Sequence, residues 1–179
     1  MASLEEIRKE RLKKLEALRE RGMDPYPSET NRDREIGAVL SDFENLAKSG
    51  NALTVAGRIM AMRSHGGSAF IDLYDGTGKI QGFLTEEDIS PEQFSAFSKL
   101  SDIGDFIELS GSAYLTKRGE KSVRASSWKM LSKSLRPLPE KWHGLKDEEE
   151  ILRKRYLDIL MNEGPRETLE KKALFFKTT

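Results

Sequence analysis

Apolar residues recur at helical spacing over residues 3–21 and 36–48, then switch to alternation beyond Asn51. In the first stretch Leu4, Ile7, Leu15 and Leu18 share one stripe, with Leu12 at its edge, the pattern of a helix with one apolar face. Ser3, with Glu6 three residues later, forms a capping box signature. Gly22, Pro25 and Pro27 end that helix. A second helix over residues 36–48 stops at Ser49-Gly50-Asn51. The period then falls to two. Leu53, Val55, Gly57 and Ile59 alternate with Thr54, Ala56, Arg58 and Met60, and Ala69, Ile71 and Leu73 with Phe70, Asp72 and Tyr74. Asp75-Gly76-Thr77-Gly78 joins the latter strand to a third at 79–84, as a hairpin. Residues 91–100 read as a helix, followed by strands at about 104–115 and 121–131 joined by Lys117-Arg118-Gly119-Glu120. Three strands, a helix and two strands is the order of the OB-fold, a five-stranded Greek-key barrel that commonly binds oligonucleotides.

Side chains alternate across a strand, so if the apolar set fills the barrel the interleaved set faces out. That places Arg58, Phe70 and Gln81 on the outer face of three successive strands, with Met60, Asp72 and Phe83. An aromatic face, a guanidinium fork and an amide suffice to hold and read one unstacked base. The competing account packs Phe70 under a loop or the first helix and pairs Arg58 with Asp72. Both stand on periodicity alone.

Composition narrows the classes. Lys plus Arg balances Asp plus Glu at 30 each, so any attraction for nucleic acid is local. The stretch from Tyr114 to Arg136 supplies it: Lys117, Arg118, Lys121, Arg124, Lys129, Lys133 and Arg136 against the single acid Glu120. Such a hairpin attracts a phosphate backbone, and Glu120 at its tip can accept from base amino or imino groups. The bland alternative is a solvated hairpin; likewise the basic face of the first helix (Arg8, Lys9, Arg11, Lys13, Lys14, Arg19, Arg21) reads as solvated or as phosphate-contacting. The chain has no cysteine, which excludes disulfides and thiol chemistry. His65 and His143 stand far apart without a ligand cluster, and no catalytic constellation emerges. No apolar run approaches the roughly 20 residues of a membrane span, and the charged N-terminus is unlike a signal peptide, so the expected location is the cytoplasm.

VAGRIMAMRSHGGSAFIDLYDGTGKIQGFL resembles the first three strands of the anticodon-binding domain of class II lysyl-tRNA synthetases. RERGMDPYP, TKRGEKSV and RPLPEKWHGLKDEEEILRKRYLDILMN agree with that family, the last being the most specific because aspartyl and asparaginyl relatives share the barrel but usually not this linker. The resemblance implies that Phe70 stacks on an anticodon base, that Arg58 and Gln81 read the central uridine, and that Glu120 meets another anticodon base. It implies tRNA(Lys) as partner and a homodimer. Tyr74 stands where the family commonly has glutamine, and the ending ALFFKTT departs from the usual continuation. The implied organisation is a helical region at 1–50, the barrel at 51–135, a linker at 136–146 and the truncated start of a catalytic domain at 147–179. ATP, Mg2+ and lysine are then expected only for the full-length enzyme, and this chain is expected not to aminoacylate. A stand-alone OB module for single strands, or the anticodon domain of an aspartyl or asparaginyl enzyme, remains open.

Overall fold

The computed structural model describes residues 3–139 and 148–178; residues 140–147, which hold most of the expected linker and His143, lie outside them. The chain forms two compact units, Met1–Pro137 and Leu138–Thr179. The first contains α1 (Leu4–Glu20), α2 (Ile36–Ser41), α3 (Phe43–Ser49), β1 (Ala52–His65), β2 (Ser68–Tyr74), β3 (Lys79–Thr85), α4 (Glu86–Ile89), α5 (Pro91–Leu100), β4 (Phe106–Leu115) and β5 (Lys121–Ser132). The second contains α6 (Glu148–Arg153), α7 (Arg155–Met161) and α8 (Glu163–Thr178).

The five strands close a barrel in the order β1-β2-β3-β5-β4. Only β3 and β5 run parallel. β1 is long because it serves two partners: residues 52–58 pair with β4, and the far half pairs with β2. Between Ile59 and Ala61 the β1–β2 register slips by one residue. Such a bulge bends the strand and shifts every later side chain relative to its partner. The alternating apolar set fills the interior as expected: Leu53, Val55, Ile59, Ala69, Ile71, Leu73, Ile80 and Leu84 are buried, together with Ile107, Leu109, Val123 and Met130. At Gly111 a Cβ would collide with the backbone carbonyl of Arg124, so only glycine permits that close approach of β4 and β5. α5 sits against the barrel through Phe94 and Phe97, the latter edge-on to Trp128 at 5.3 Å.

The helical elements depart from the periodicity in instructive ways. Residues 36–48 form two helices because Asp42 leaves helical geometry and its carboxylate accepts from Asn45 Nδ2, the local bonding by which short polar side chains compete with a helix. Lys154 leaves helical geometry between α6 and α7. In α1 the capping box forms, but only Leu15 and Leu18 of the apolar stripe are buried, while Leu4 is 71% exposed. The residue that completes the buried face is Arg11. Its guanidinium donates to the carbonyls of Ile103, Ser134 and Arg136, each at 3.0 Å, so it is an anchor rather than part of a solvated basic face.

Lys133 requires a similar correction. Its side chain is wholly buried, donating to Leu100 O and to the carboxylates of Asp102 and Asp105. It is therefore no part of the basic surface. Lys14 of α1 reaches the same Asp102 at 2.7 Å. Burial pushes the Asp105 carboxyl above its ordinary range despite Lys133. Asp102 is also pushed up by burial, but hydrogen bonds from Lys133 and Lys14 reverse that and hold it low.

Candidate nucleic-acid interface

A cleft of about 1120 Å3 opens between the outer face of β2–β3 and the β4–β5 hairpin. Phe70, Gln81 and Glu120 all line it, and so do Lys117, Arg118 and Lys121. Arg58 does not line it. Its guanidinium lies 4.2 Å over the Phe106 ring and donates to Gly104 O at 3.0 Å; burial lowers its pKa, with Asp105 opposing. Arg58 is on the outer face as alternation requires, but it opposes Tyr74. Four residues along β2 separate that position from Phe70, roughly 13 Å at strand rise. Neither is Arg58 paired to Asp72, which takes Lys79 at 2.7 Å on the cleft wall.

The arginine that the structure does place opposite Phe70 is Arg63. It lies directly opposite Phe70 across the β1–β2 pair, lines the cleft and is exposed. Alternation counted from the start of β1 missed it because of the bulge. The signal lay at the other end of the strand. Gly66-Gly67 reads as a two-residue hairpin turn, and counting outward from that turn pairs His65 with Ser68 and Arg63 with Phe70, as observed.

The aromatic wall is deeper than one ring. Phe70 stacks on its cross-strand partner Phe83 (4.7 Å, 22°), and Phe83 lies nearly parallel to Tyr114 at 6.0 Å. Arg124 stands 6.0 Å over Tyr114 and is clipped to Asp88 by two hydrogen bonds of 2.9 Å. That pairing lowers the Asp88 pKa and raises the Arg124 pKa. Arg124 thus buttresses the wall. Lys121 donates to Leu40 O at 3.3 Å and lies 5.4 Å from the Phe43 ring; like Lys117, Arg118 and Glu120 it is exposed. Glu120 is held by a tight turn: Gly119 adopts φ +81°, and Glu120 N donates to Thr116 Oγ1 at 3.0 Å. Gln81 accepts from Ser122 Oγ at 3.0 Å.

The cleft presents the rings of Phe70, Phe83 and Tyr114, the Gln81 amide, the carboxylates of Asp72 and Glu120 and a rim of cations. Among the described residues no cluster of His, Cys, Asp or Glu could hold a metal ion. Nor is any described helix long and apolar enough to cross a membrane.

Residues 53–131 match the family model of the OB-fold nucleic acid binding domain. Over 98% of its length the chain is 44% identical to a lysine–tRNA ligase of Roseiflexus sp. (strain RS-1) and 42% identical to one of Carboxydothermus hydrogenoformans. A lysine–tRNA ligase of Clostridium botulinum is 40% identical over 97% of the chain. These matches cover 36%, 35% and 34% of the relatives, so the chain spans about a third of the length of the curated relatives it matches.

Proposed function

Residues 53–131 match the OB-fold nucleic acid binding domain, and from that match we propose that the chain is the anticodon-reading, N-terminal part of a lysine–tRNA ligase. The observation that carries this is the convergence of Phe70, Gln81 and Glu120 on one cleft, in a chain similar to lysine–tRNA ligases over nearly its whole length. Phe70 is the stacking platform for one splayed base. Gln81 and Glu120 meet base edges, which single-stranded RNA presents when its bases are unstacked. Arg63, facing Phe70, takes the part first given to Arg58; Arg58 shapes the far end of the face through Phe106. Lys117, Arg118 and Lys121 draw in the phosphates, and Arg124 adds to the field while clipped to Asp88.

Under this reading the partner is the anticodon stem-loop of tRNA(Lys), in the cytoplasm. Lysine, ATP and Mg2+ belong to the full-length enzyme; this chain selects the tRNA without charging it, and lysine-dependent pyrophosphate exchange is expected to be nil. The homodimer implied for full-length relatives is read by sedimentation of this chain. The decisive experiment is titration with stem-loops bearing UUU or an anticodon changed at its central base. Tighter binding of UUU supports anticodon reading. Equal affinity overturns it in favour of an OB module that binds single strands without choice.

A further inference from the structure

We propose that Ser122 is a positioning residue that locks the Gln81 amide in the orientation that accepts uracil and rejects cytosine, an inference that rests on Gln81 reading a base.

A carboxamide has nearly the same shape when turned by half a rotation, but donor and acceptor exchange places. Uracil presents an N3–H donor beside a carbonyl acceptor; cytosine presents an N3 acceptor beside an amino donor. A freely turning glutamine therefore pairs with either base in the same pose. Discrimination between the two pyrimidines requires something that fixes the amide.

Ser122 is placed to do so. It opposes Gln81 across the parallel β3–β5 pair and is 0% exposed. Its hydroxyl has one proton to give and two acceptors within reach, Gln81 Oε1 at 3.0 Å and Glu120 O at 3.3 Å. The Glu120 carbonyl already accepts from Thr116 N–H at 3.0 Å, so the shorter bond to Gln81 takes the proton. Oε1 is then held toward β5 and Nε2 presents its hydrogens to the cleft, where they meet a uracil carbonyl. The second lone pair of Oε1 remains for N3–H. Turning the amide over places Nε2–H against Ser122 Oγ and forces the hydroxyl proton onto the longer, shared bond to Glu120 O. Without the hydroxyl that penalty disappears, and cytosine becomes acceptable.

The test compares hairpin RNAs that differ only in the central loop base, uridine or cytidine, titrated at one salt concentration against wild type, Ser122→Ala, Ser122→Cys, Ser122→Thr and Gln81→Ala, with thermal melting of each protein. Wild type is expected to favour uridine by about tenfold or more, the scale of one well-oriented pair of base contacts. Ser122→Ala is expected to lower that ratio by about fivefold, mainly by tightening cytidine binding, since the bias removed is one oriented hydrogen bond. If Ser122→Ala does not fold, Ser122→Cys, a weaker donor of similar size, carries the same expectation. Ser122→Thr, which keeps the hydroxyl, is expected to retain the wild-type ratio. An unchanged ratio in the Ala or Cys variant, with the ratio collapsed in Gln81→Ala, overturns the lock and leaves Gln81 as the reader. A Thr variant that melts like wild type yet falls to the Ala ratio overturns it as well. An unchanged ratio in Gln81→Ala overturns both the lock and the role given to Gln81.

Discussion

At the scale of single residues, Phe70 heads the row of rings that lines the cleft. Phe70→Ala is expected to weaken stem-loop binding by about 1–3 kcal/mol through lost stacking, whereas Phe70→Trp keeps the platform; isothermal titration reads both. The two arginines separate differently. Arg63→Ala is expected to weaken RNA binding without lowering the melting temperature, because Arg63 is exposed at the strand position opposite Phe70. Arg58→Ala is expected to lower the melting temperature while leaving affinity nearly intact, since it removes a ring contact and a carbonyl bond at the far end of the face. The opposite pattern restores Arg58 as the base reader. The outer face of Phe70 and Gln81 was legible from alternation, which follows directly from strand geometry. The outward facing of Arg63 was hidden from a count begun at Leu53, because a bulge leaves no mark on residue type, although counting back from Gly66-Gly67 pairs it with Phe70.

At the scale of elements, strands were easier to read than helices. A barrel interior demands apolar side chains at every second position, so the pattern carries the fold. Helices on its outside are held by a few specific contacts, and charged residues that look solvated make several of them. Arg11 of α1 spends its donors on three carbonyls at the barrel edge, and Lys133 lies wholly buried between Asp102 and Asp105. No spacing in the sequence distinguishes these two from the exposed Lys117 and Arg118; the difference is made by partners distant in the chain. Lys133→Met keeps the volume but leaves the buried Asp105 without its cation, Asp102 keeping only Lys14. It is expected to destabilise the first unit by about 3–5 kcal/mol, the cost of breaking a buried ion pair from one side, as measured by urea unfolding. A change under 1 kcal/mol would mean that the carboxylates find other partners.

At the scale of the whole molecule, a balanced total charge conceals a cationic rim on one cleft. Lys117→Ala and Lys121→Ala are each expected to reduce the slope of log affinity against log salt by about one, uniformly across loop sequences. Acid weakens the fold through carboxylates whose pKa values are lowered on folding. Asp88 is held low by Arg124; Asp102 and Glu108 feel burial pushing up, but hydrogen bonds from Lys133 and Lys14, and from Thr30 and Asn31, reverse it. Their contribution is complete above the unfolded carboxylate range, near about 4, and is lost as pH falls through the lowered values. Asp105, raised by burial, has the opposite sign and costs stability as it ionises. Urea midpoints are therefore expected to fall steeply below about pH 4, and a midpoint flat through that range would contradict the balance. The central claim, that this cleft receives the anticodon, is tested most directly by mapping backbone amide shifts on adding a UUU stem-loop. The largest shifts are expected at Arg63, Phe70, Gln81, Phe83 and the 116–122 turn. Shifts confined to the Arg58–Phe106 end of the barrel, or to α1, would contradict it.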